Sequence, residues 1–134
     1  MYLLDTNIIS YWMGGDQRLI ERIKSVCPCD LSLSAITVAE IHYGIEKSPV
    51  KKKARRAKIE RICSQLKIFP FDASAALEYG PIRAKLEKQG KIISERDLQI
   101  AAIAKANRLC MVTHNTKEFN RIDKLPVEDW AAGA

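Results

Sequence analysis

Three acidic residues stand where carboxylates could do chemistry. Asp5 follows the short apolar run at residues 2–4, and Glu40 and Asp97 each begin an apolar helical pattern. Three carboxylates brought together repel one another unless a cation lies between them, and hard oxygen ligands suit Mg²⁺ or Mn²⁺ rather than zinc. Such an ion lowers the pKa of a bound water, holds a phosphate and stabilises the leaving oxygen. The three acids therefore predict metal-assisted hydrolysis of a phosphate ester, provided that the fold brings them together.

Each acid also has a structural explanation that stays open at this point. Asp5 could cap the helix that follows it. Glu40 and Asp97 could be the acidic members of capping boxes that begin at Thr37 and Ser94, where the helix dipole also favours an acid. The explanation is weaker for the whole set, because the predicted topology takes all three acids towards one end of a sheet.

The elements that must position these acids are short strands that alternate with helices. We predict strands at 2–4, 31–34, 67–71 and 109–113, and helices at 8–14, 17–26, 37–45, 51–66, 73–88, 94–104 and 116–120. This alternation indicates an α/β fold with a mostly parallel sheet, whose sites lie beyond the carboxyl ends of the strands. No repeat or linker divides the chain, so residues 1–134 are expected to form a single domain.

Composition excludes several classes of protein. Hydrophobic residues make up 47% of the chain and charged residues 28%, which excludes collagen-like, disordered and coiled-coil proteins. No apolar run approaches the roughly 18 residues of a membrane span, and Asp5 interrupts the amino-terminal apolar stretch, so no signal peptide is predicted. We therefore expect a cytoplasmic protein with no membrane partner. The four cysteines lack disulfide or zinc spacing and are expected to be buried or incidental thiols.

Positive charge is concentrated in one stretch, residues 47–67, which we call the basic segment. It carries nine basic residues and one acid, so its net charge is +8 in a chain whose total is +6. Two interpretations stay open: the segment is either a solvated helix face or an electrostatic footprint for the phosphates of a nucleic acid.

Four segments resemble, in order, the signature segments of PIN-domain ribonucleases, and the VapC-type toxins of bacterial toxin–antitoxin pairs are the closest match. They are residues 3–10 (LLDTNIIS), 39–44 (AEIHYG), 97–102 (DLQIAA) and 112–119 (VTHNTKEF). The resemblance implies a PIN-like three-layer α/β/α sandwich with a mostly parallel central sheet. It also implies an endoribonuclease that depends on Mg²⁺, with Mn²⁺ possible, and that forms a homodimer inhibited by a cognate VapB-type antitoxin.

The resemblance also assigns site residues. The three metal-binding acids of the family fall on Asp5, Glu40 and Asp97. A fourth acidic position falls on Asn115, with Glu118 the nearest acid, so Asn115 is the fourth predicted catalytic residue and the number of metal ions stays open. Asn115 would orient water without adding charge.

Other assignments stay open. Glu95 adds a carboxylate of undecided role, and Thr6 could either hold a phosphate or carboxylate or cap a helix. The leading function is a metal-dependent endoribonuclease toxin. The alternative is a non-catalytic PIN-fold protein that holds nucleic acid with its basic segment. A small-ester phosphatase is a third possibility, although its signature needs an acid where this chain has Asn7.

Overall fold

The structure, a computed structural model, describes residues 1–131, so the last three residues of the predicted 1–134 domain lie outside the described residues. The strands are β1 (Tyr2–Leu4), β2 (Leu31–Ser34), β3 (Lys67–Phe69), β4 (Cys110–Val112) and β5 (Val127–Glu128). The helices are α1 (Thr6–Met13), α2 (Gln17–Lys24), α3 (Ala35–Lys47), α4 (Lys52–Gln65), α5 (Ala73–Lys88), α6 (Glu95–Ala106) and α7 (Thr116–Phe119). None of the helices in this part of the chain is long and apolar enough to cross a membrane.

The five strands form one parallel sheet in the order β3-β2-β1-β4-β5. Tyr2 of β1 lies opposite Leu31 of β2 on one side and Cys110 of β4 on the other. The chain builds outward from β1 to β3 and then returns to place β4 on the other side of β1. Such a reversal leaves a crevice at the carboxyl ends of the two strands concerned. The prediction of a mostly parallel α/β sheet is confirmed.

Helices cover both faces of the sheet. Successive residues of a strand point to opposite faces, and Leu3 and Leu4 of β1 are both fully buried. Leu3 belongs to a core that includes Ile100 of α6, whereas Leu4 belongs to a second core that includes Ile8 of α1 and Ile59 of α4. The sheet is therefore the middle layer of an α/β/α sandwich, which confirms the predicted architecture.

The start of α3 differs from the prediction. This helix begins at Ala35 and its N-cap is Ser34, whose Oγ accepts a hydrogen bond from the Thr37 amide at 3.0 Å. Thr37 is therefore not a cap, and Glu40 is not the acid of a capping box, because it lies in the second turn of the helix. The capping-box prediction was wrong here since Ser34, at the end of β2, offers the same hydroxyl three residues earlier. By contrast, Ser94 caps α6 as predicted.

The cysteines also depart from expectation. Cys27 and Cys29 are exposed and are joined by a disulfide, so they are neither buried nor free thiols. A turn of 3-10 helix at Pro28–Asp30 brings their Cα atoms to 5.3 Å, within the range that a disulfide spans. Cys63 and Cys110 are free, half-buried thiols, nearer to the expectation.

Candidate active site

The predicted site residues meet at the carboxyl edge of the sheet. Asp5 follows β1, Glu40 lies on α3 after β2, and Asp97 lies in the first turn of α6. Asn115 follows β4. These four residues line one open pocket, together with Thr6, Asn7, Ser10, Tyr11 and His114. The crevice expected from the reversal of strand order is thus lined by all four residues that the sequence singled out.

Asp5 is the most deeply buried of the three acids, with 4% of its surface exposed. One carboxylate oxygen accepts a hydrogen bond from the Thr6 amide at 2.8 Å, and the other accepts one from Thr113 Oγ1 at 2.7 Å. The pKa of Asp5 is nevertheless raised to about 6; burial is the largest cause, and the charges of Asp97 and Glu40 act in the same direction. Its bond to Thr6 is a helix cap, but its burial beside two other acids is more than capping requires.

Glu40 is held by contacts from two other helices. Its Oε1 accepts a hydrogen bond from Thr6 Oγ1 at 2.7 Å, and its Oε2 accepts one from Arg96 Nη1 at 3.1 Å. Thr6 therefore holds a carboxylate, which decides between the two roles that the sequence left open for its hydroxyl. Arg96 was missed by sequence reasoning, and only its position beside Asp97 could have drawn attention to it.

Asp97 is half-buried and lies beside Asn115, whose Nδ2 is 3.4 Å from one carboxylate oxygen. Burial is the largest cause of the raised pKa of Asp97, and the charges of Glu40 and Glu118 act in the same direction. Glu118 thus influences the site electrostatically, although it does not line the pocket. Thr113, also missed by sequence reasoning, accepts from the Asn115 amide at 2.9 Å and so links Asn115 to Asp5.

Two further side chains were undecided or unassigned. The carboxylate of Glu95 accepts hydrogen bonds from Tyr79 and Arg83, so it is engaged outside the pocket. His114 lies on the pocket wall, where its Nδ1 is 3.0 Å from Asp129 Oδ2. Its amide donates to Asn7 Oδ1 at 3.2 Å, so Asn7 helps to fix the loop after β4.

The three carboxylates have the chemistry of a divalent-cation site, although oxygens from all three do not lie within 4.8 Å of one another in this structure. Burial raises the pKa of Asp5 and Asp97. Neighbouring charges act in the same direction, since Asp97 and Glu40 raise the pKa of Asp5 and Glu40 raises that of Asp97. A cation bound between them would offset both effects by stabilising the charged forms. The donors are oxygens, as Mg²⁺ and Mn²⁺ prefer, and no cysteine lines the pocket in the described part of the chain. Chemically, the site is suited to hold a hard metal ion against a phosphate.

Comparisons with known proteins identify the family to which this α/β/α sandwich belongs. The family model "PIN domain" matches residues 2–125. The chain therefore belongs to the PIN domain family, as the four sequence segments predicted.

Within this family the chain is similar to VapC proteins over almost its whole length. It is 39% identical to Ribonuclease VapC2 of Haemophilus influenzae, covering 96% of this chain and 97% of the relative. It is 34% identical to the tRNA(fMet)-specific endonuclease VapC of Shigella flexneri, over 97% of this chain and 98% of the relative. The crystal structure of VapBC2 from Rickettsia felis, bound to a DNA fragment from its promoter, is similar with a TM-score of 0.89 and 36% sequence identity. The match covers 96% of this chain and 98% of that chain.

Proposed function

We propose that this chain is a metal-dependent endoribonuclease and the toxic component of a toxin–antitoxin pair. The observation that carries the proposal is the convergence of Asp5, Glu40 and Asp97 in one pocket of a chain that is 39% identical to a VapC ribonuclease. The substrate class is RNA, and the reaction is hydrolysis of a phosphodiester bond. Because one relative is named for tRNA(fMet), that tRNA is the first substrate to test.

In this proposal Asp5, Glu40 and Asp97 hold Mg²⁺, with Mn²⁺ as the alternative. When bound, the ion supplies an activated water and neutralises charge on the phosphate. The chain's own residues fix the geometry: Thr113 orients Asp5, and Thr6 orients Glu40. Asn115 contributes an amide that can orient water or substrate beside Asp97.

The proposed protein partner is a VapB-type antitoxin, because similar chains of known structure form VapBC assemblies. A lysine or arginine of the antitoxin placed among the three acids would neutralise them and take the place of the metal.

The proposal also includes a homodimer, a single domain over residues 1–134 and a cytoplasmic location. Tyr43, whose large aromatic side chain is exposed in the single chain, is a candidate dimer contact. Light scattering at micromolar concentration tests the dimer, and a mass equal to one chain would contradict it.

Cleavage of a fluorescent RNA, with and without EDTA, tests the enzymatic proposal. We expect cleavage that EDTA abolishes and that added Mg²⁺ or Mn²⁺ restores, and we expect Asp97→Asn to be inactive. Asp30→Asn is the matched control, because Asp30 is an exposed acid just before β2, at the opposite edge of the sheet. Metal-independent RNA binding without cleavage would favour the non-catalytic alternative. Hydrolysis of p-nitrophenyl phosphate but not of RNA would favour the phosphatase.

A further inference from the structure

One basic side chain, that of Arg96, forms an ion pair with a predicted metal ligand. Arg96, the second residue of α6, lies between Glu95 and Asp97 in sequence, and its Nη1 is 3.1 Å from Glu40 Oε2. Within residues 1–131, no other lysine or arginine forms an ion pair with these three acids. The charge of Arg96 also acts on Asp97, whose pKa it lowers. The arginine therefore compensates part of the negative charge of the pocket.

The contacts of Arg96 are not those of an arginine that stabilises the fold. Its side chain is 63% exposed, and its bond to Glu40 is its one side-chain hydrogen bond among the described residues. An exposed ion pair of this kind contributes about 0–1 kcal/mol to stability. Glu40 is independently held by Thr6 at 2.7 Å, so its position does not depend on Arg96. Arg96 is thus able to change partners at little cost.

We propose that Arg96 is a phosphate-binding residue of the RNA site, which pairs with Glu40 in the metal-free protein and with an RNA phosphate once a divalent cation has taken over Glu40. This inference rests on the proposed function. A cation on Glu40 would remove the negative charge that holds the guanidinium and would repel it. A guanidinium binds phosphate through paired, charge-assisted hydrogen bonds. Arg96 is exposed and contacts Glu40, which lines the pocket, so it is close enough to meet a phosphate bound beside the three acids.

If Arg96 exchanges Glu40 for an RNA phosphate, neutralising Arg96 should have opposite effects on metal binding and on RNA binding. Metal binding should become tighter, because a competitor for Glu40 has been removed. RNA binding should become weaker, because a phosphate contact has been lost. A purely structural ion pair predicts neither effect, and an arginine that organises the metal ligands predicts weaker metal binding.

The test uses Arg96→Gln, Arg96→Lys and the control Arg83→Gln. Arg83 also pairs with an acid at the start of α6, Glu95, but that acid is outside the pocket. Mn²⁺ affinity is measured without RNA by calorimetry. We expect Arg96→Gln to bind Mn²⁺ about two- to fivefold more tightly, the range that the loss of an exposed ion pair allows. We expect Arg83→Gln to leave the affinity unchanged.

RNA affinity is measured separately with a fluorescein-labelled oligouridylate in Ca²⁺, over a series of salt concentrations, with a gel to check that the RNA stays intact. For Arg96→Gln we expect weaker binding and a salt slope smaller by about 0.7, the value for one phosphate contact on a single strand. Arg96→Lys should keep the slope but bind less tightly than wild type, because it retains the charge without the paired hydrogen bonds. If Arg96→Gln fails to fold, this pattern in Arg96→Lys decides the test.

Unchanged RNA affinity in Arg96→Gln, or weaker Mn²⁺ binding, would overturn the inference about Arg96. Failure of the proposed function has a different signature. In that case the wild-type protein itself would show no cleavage of RNA with any divalent cation. A wild type that cleaves RNA, together with an Arg96→Gln variant that behaves like Arg83→Gln, would refute the role of Arg96 alone.

Discussion

The acidic pocket and the basic segment are the two regions of high charge, and their side chains are arranged in opposite ways. In the pocket, carboxylates of like charge converge, and the pKa values of Asp5 and Asp97 rise. In the basic segment, several cations bind partners within the same molecule. Lys52 and Arg56 both pair with Glu46, at 2.7 and 2.6 Å. Convergence of like charges that Arg96 compensates only in part therefore distinguishes the pocket, whereas the basic segment is distinguished in the sequence by its charge density.

Arg55 shows most clearly how the basic segment differs. Its guanidinium donates hydrogen bonds to the carbonyl oxygens of Val50 at 2.9 Å and of Gly44 and Ile45 at 3.2 Å, and also to the carbonyl of Ser48. The last carbonyls of a helix have no partner within the helix, so Arg55 completes the end of α3. An arginine engaged in this way is not available to a phosphate. Part of the +8 charge of the basic segment therefore stabilises the fold.

The largest effect expected from this contrast is the loss of activity when one pocket acid is neutralised. We expect Asp5→Asn or Asp97→Asn to lower RNA cleavage by more than about 100-fold, since changes even to the partners of metal ligands cost 10–100-fold. The shape of the side chain is nearly kept, so circular dichroism should show an unchanged fold. The capping interpretation would prevail if Asp97→Asn unfolded the protein and a refolded fraction still cleaved RNA.

The next effect is a dependence of stability on pH that originates at Asp5. Its pKa of about 6 in the fold lies above the ordinary value of 3.8, so between these values the folded chain holds a proton that the unfolded chain has released. Raising the pH from 4 to 7 should therefore destabilise the metal-free protein, with a contribution from Asp5 of about 3 kcal/mol. Urea unfolding in EDTA measures this free energy.

Asp5→Asn isolates the contribution of this one carboxyl, because the other titrating groups are the same in both proteins. The free energy of unfolding of wild type relative to Asp5→Asn should fall as the pH rises through 6. Adding Mg²⁺ at pH 7.5 should raise the free energy of unfolding of the wild type again, and it should raise that of the variant less. A difference between the two proteins that stays constant from pH 4 to 7 would show that burial of Asp5 has no such cost.

The sequence predicted elements well where local signals were unambiguous. Helix α5 spans Ala73–Lys88 as predicted, because Asp72 is a lone capping residue before it and Gly90 follows its end. The start of α3 was mispredicted, because Ser34 and Thr37 are both good N-caps and the capping-box pattern that begins at Thr37 favoured the wrong one. The disulfide of Cys27 depends on a turn that the sequence pattern did not reveal.

The candidate site, like the fold, was predicted from the sequence only in part. The acids Asp5, Glu40 and Asp97 were identifiable from residue type and motif. Two of their partners, Thr113 and Arg96, were missed, because Thr113 lies 108 residues from Asp5 and Arg96 lies 56 residues from Glu40 in sequence. Such contacts depend on which strands are neighbours and on the register of the helices above them, and a single sequence does not contain that information.

A smaller effect, on stability alone, should come from Arg55. Arg55→Gln leaves carbonyl groups at the end of α3 without partners, and we expect it to lower the free energy of unfolding by about 1–3 kcal/mol. Lys53→Gln is the control, because Lys53 lies two residues earlier, is exposed and has no side-chain partner among the described residues. It should change stability by no more than about 0.5 kcal/mol. Equal free energies of unfolding for the two variants, measured in urea, would contradict the structural role of Arg55.

The smallest expected effect concerns RNA binding by the part of the basic segment that the fold leaves free. Lys53 and Arg61 have no side-chain hydrogen bond or ion pair among residues 1–131, so they are suited to contact phosphates. Neutralising both with glutamine should weaken RNA binding and reduce the salt slope by about 1.4, twice the value for one contact. Cleavage at saturating RNA should change little, because neither side chain lines the acidic pocket. The control neutralises Arg18 and Lys24 of α2, which removes the same charge elsewhere. If the two double variants have the same affinity and slope, the effect is one of net charge, and this face of α4 is only solvated.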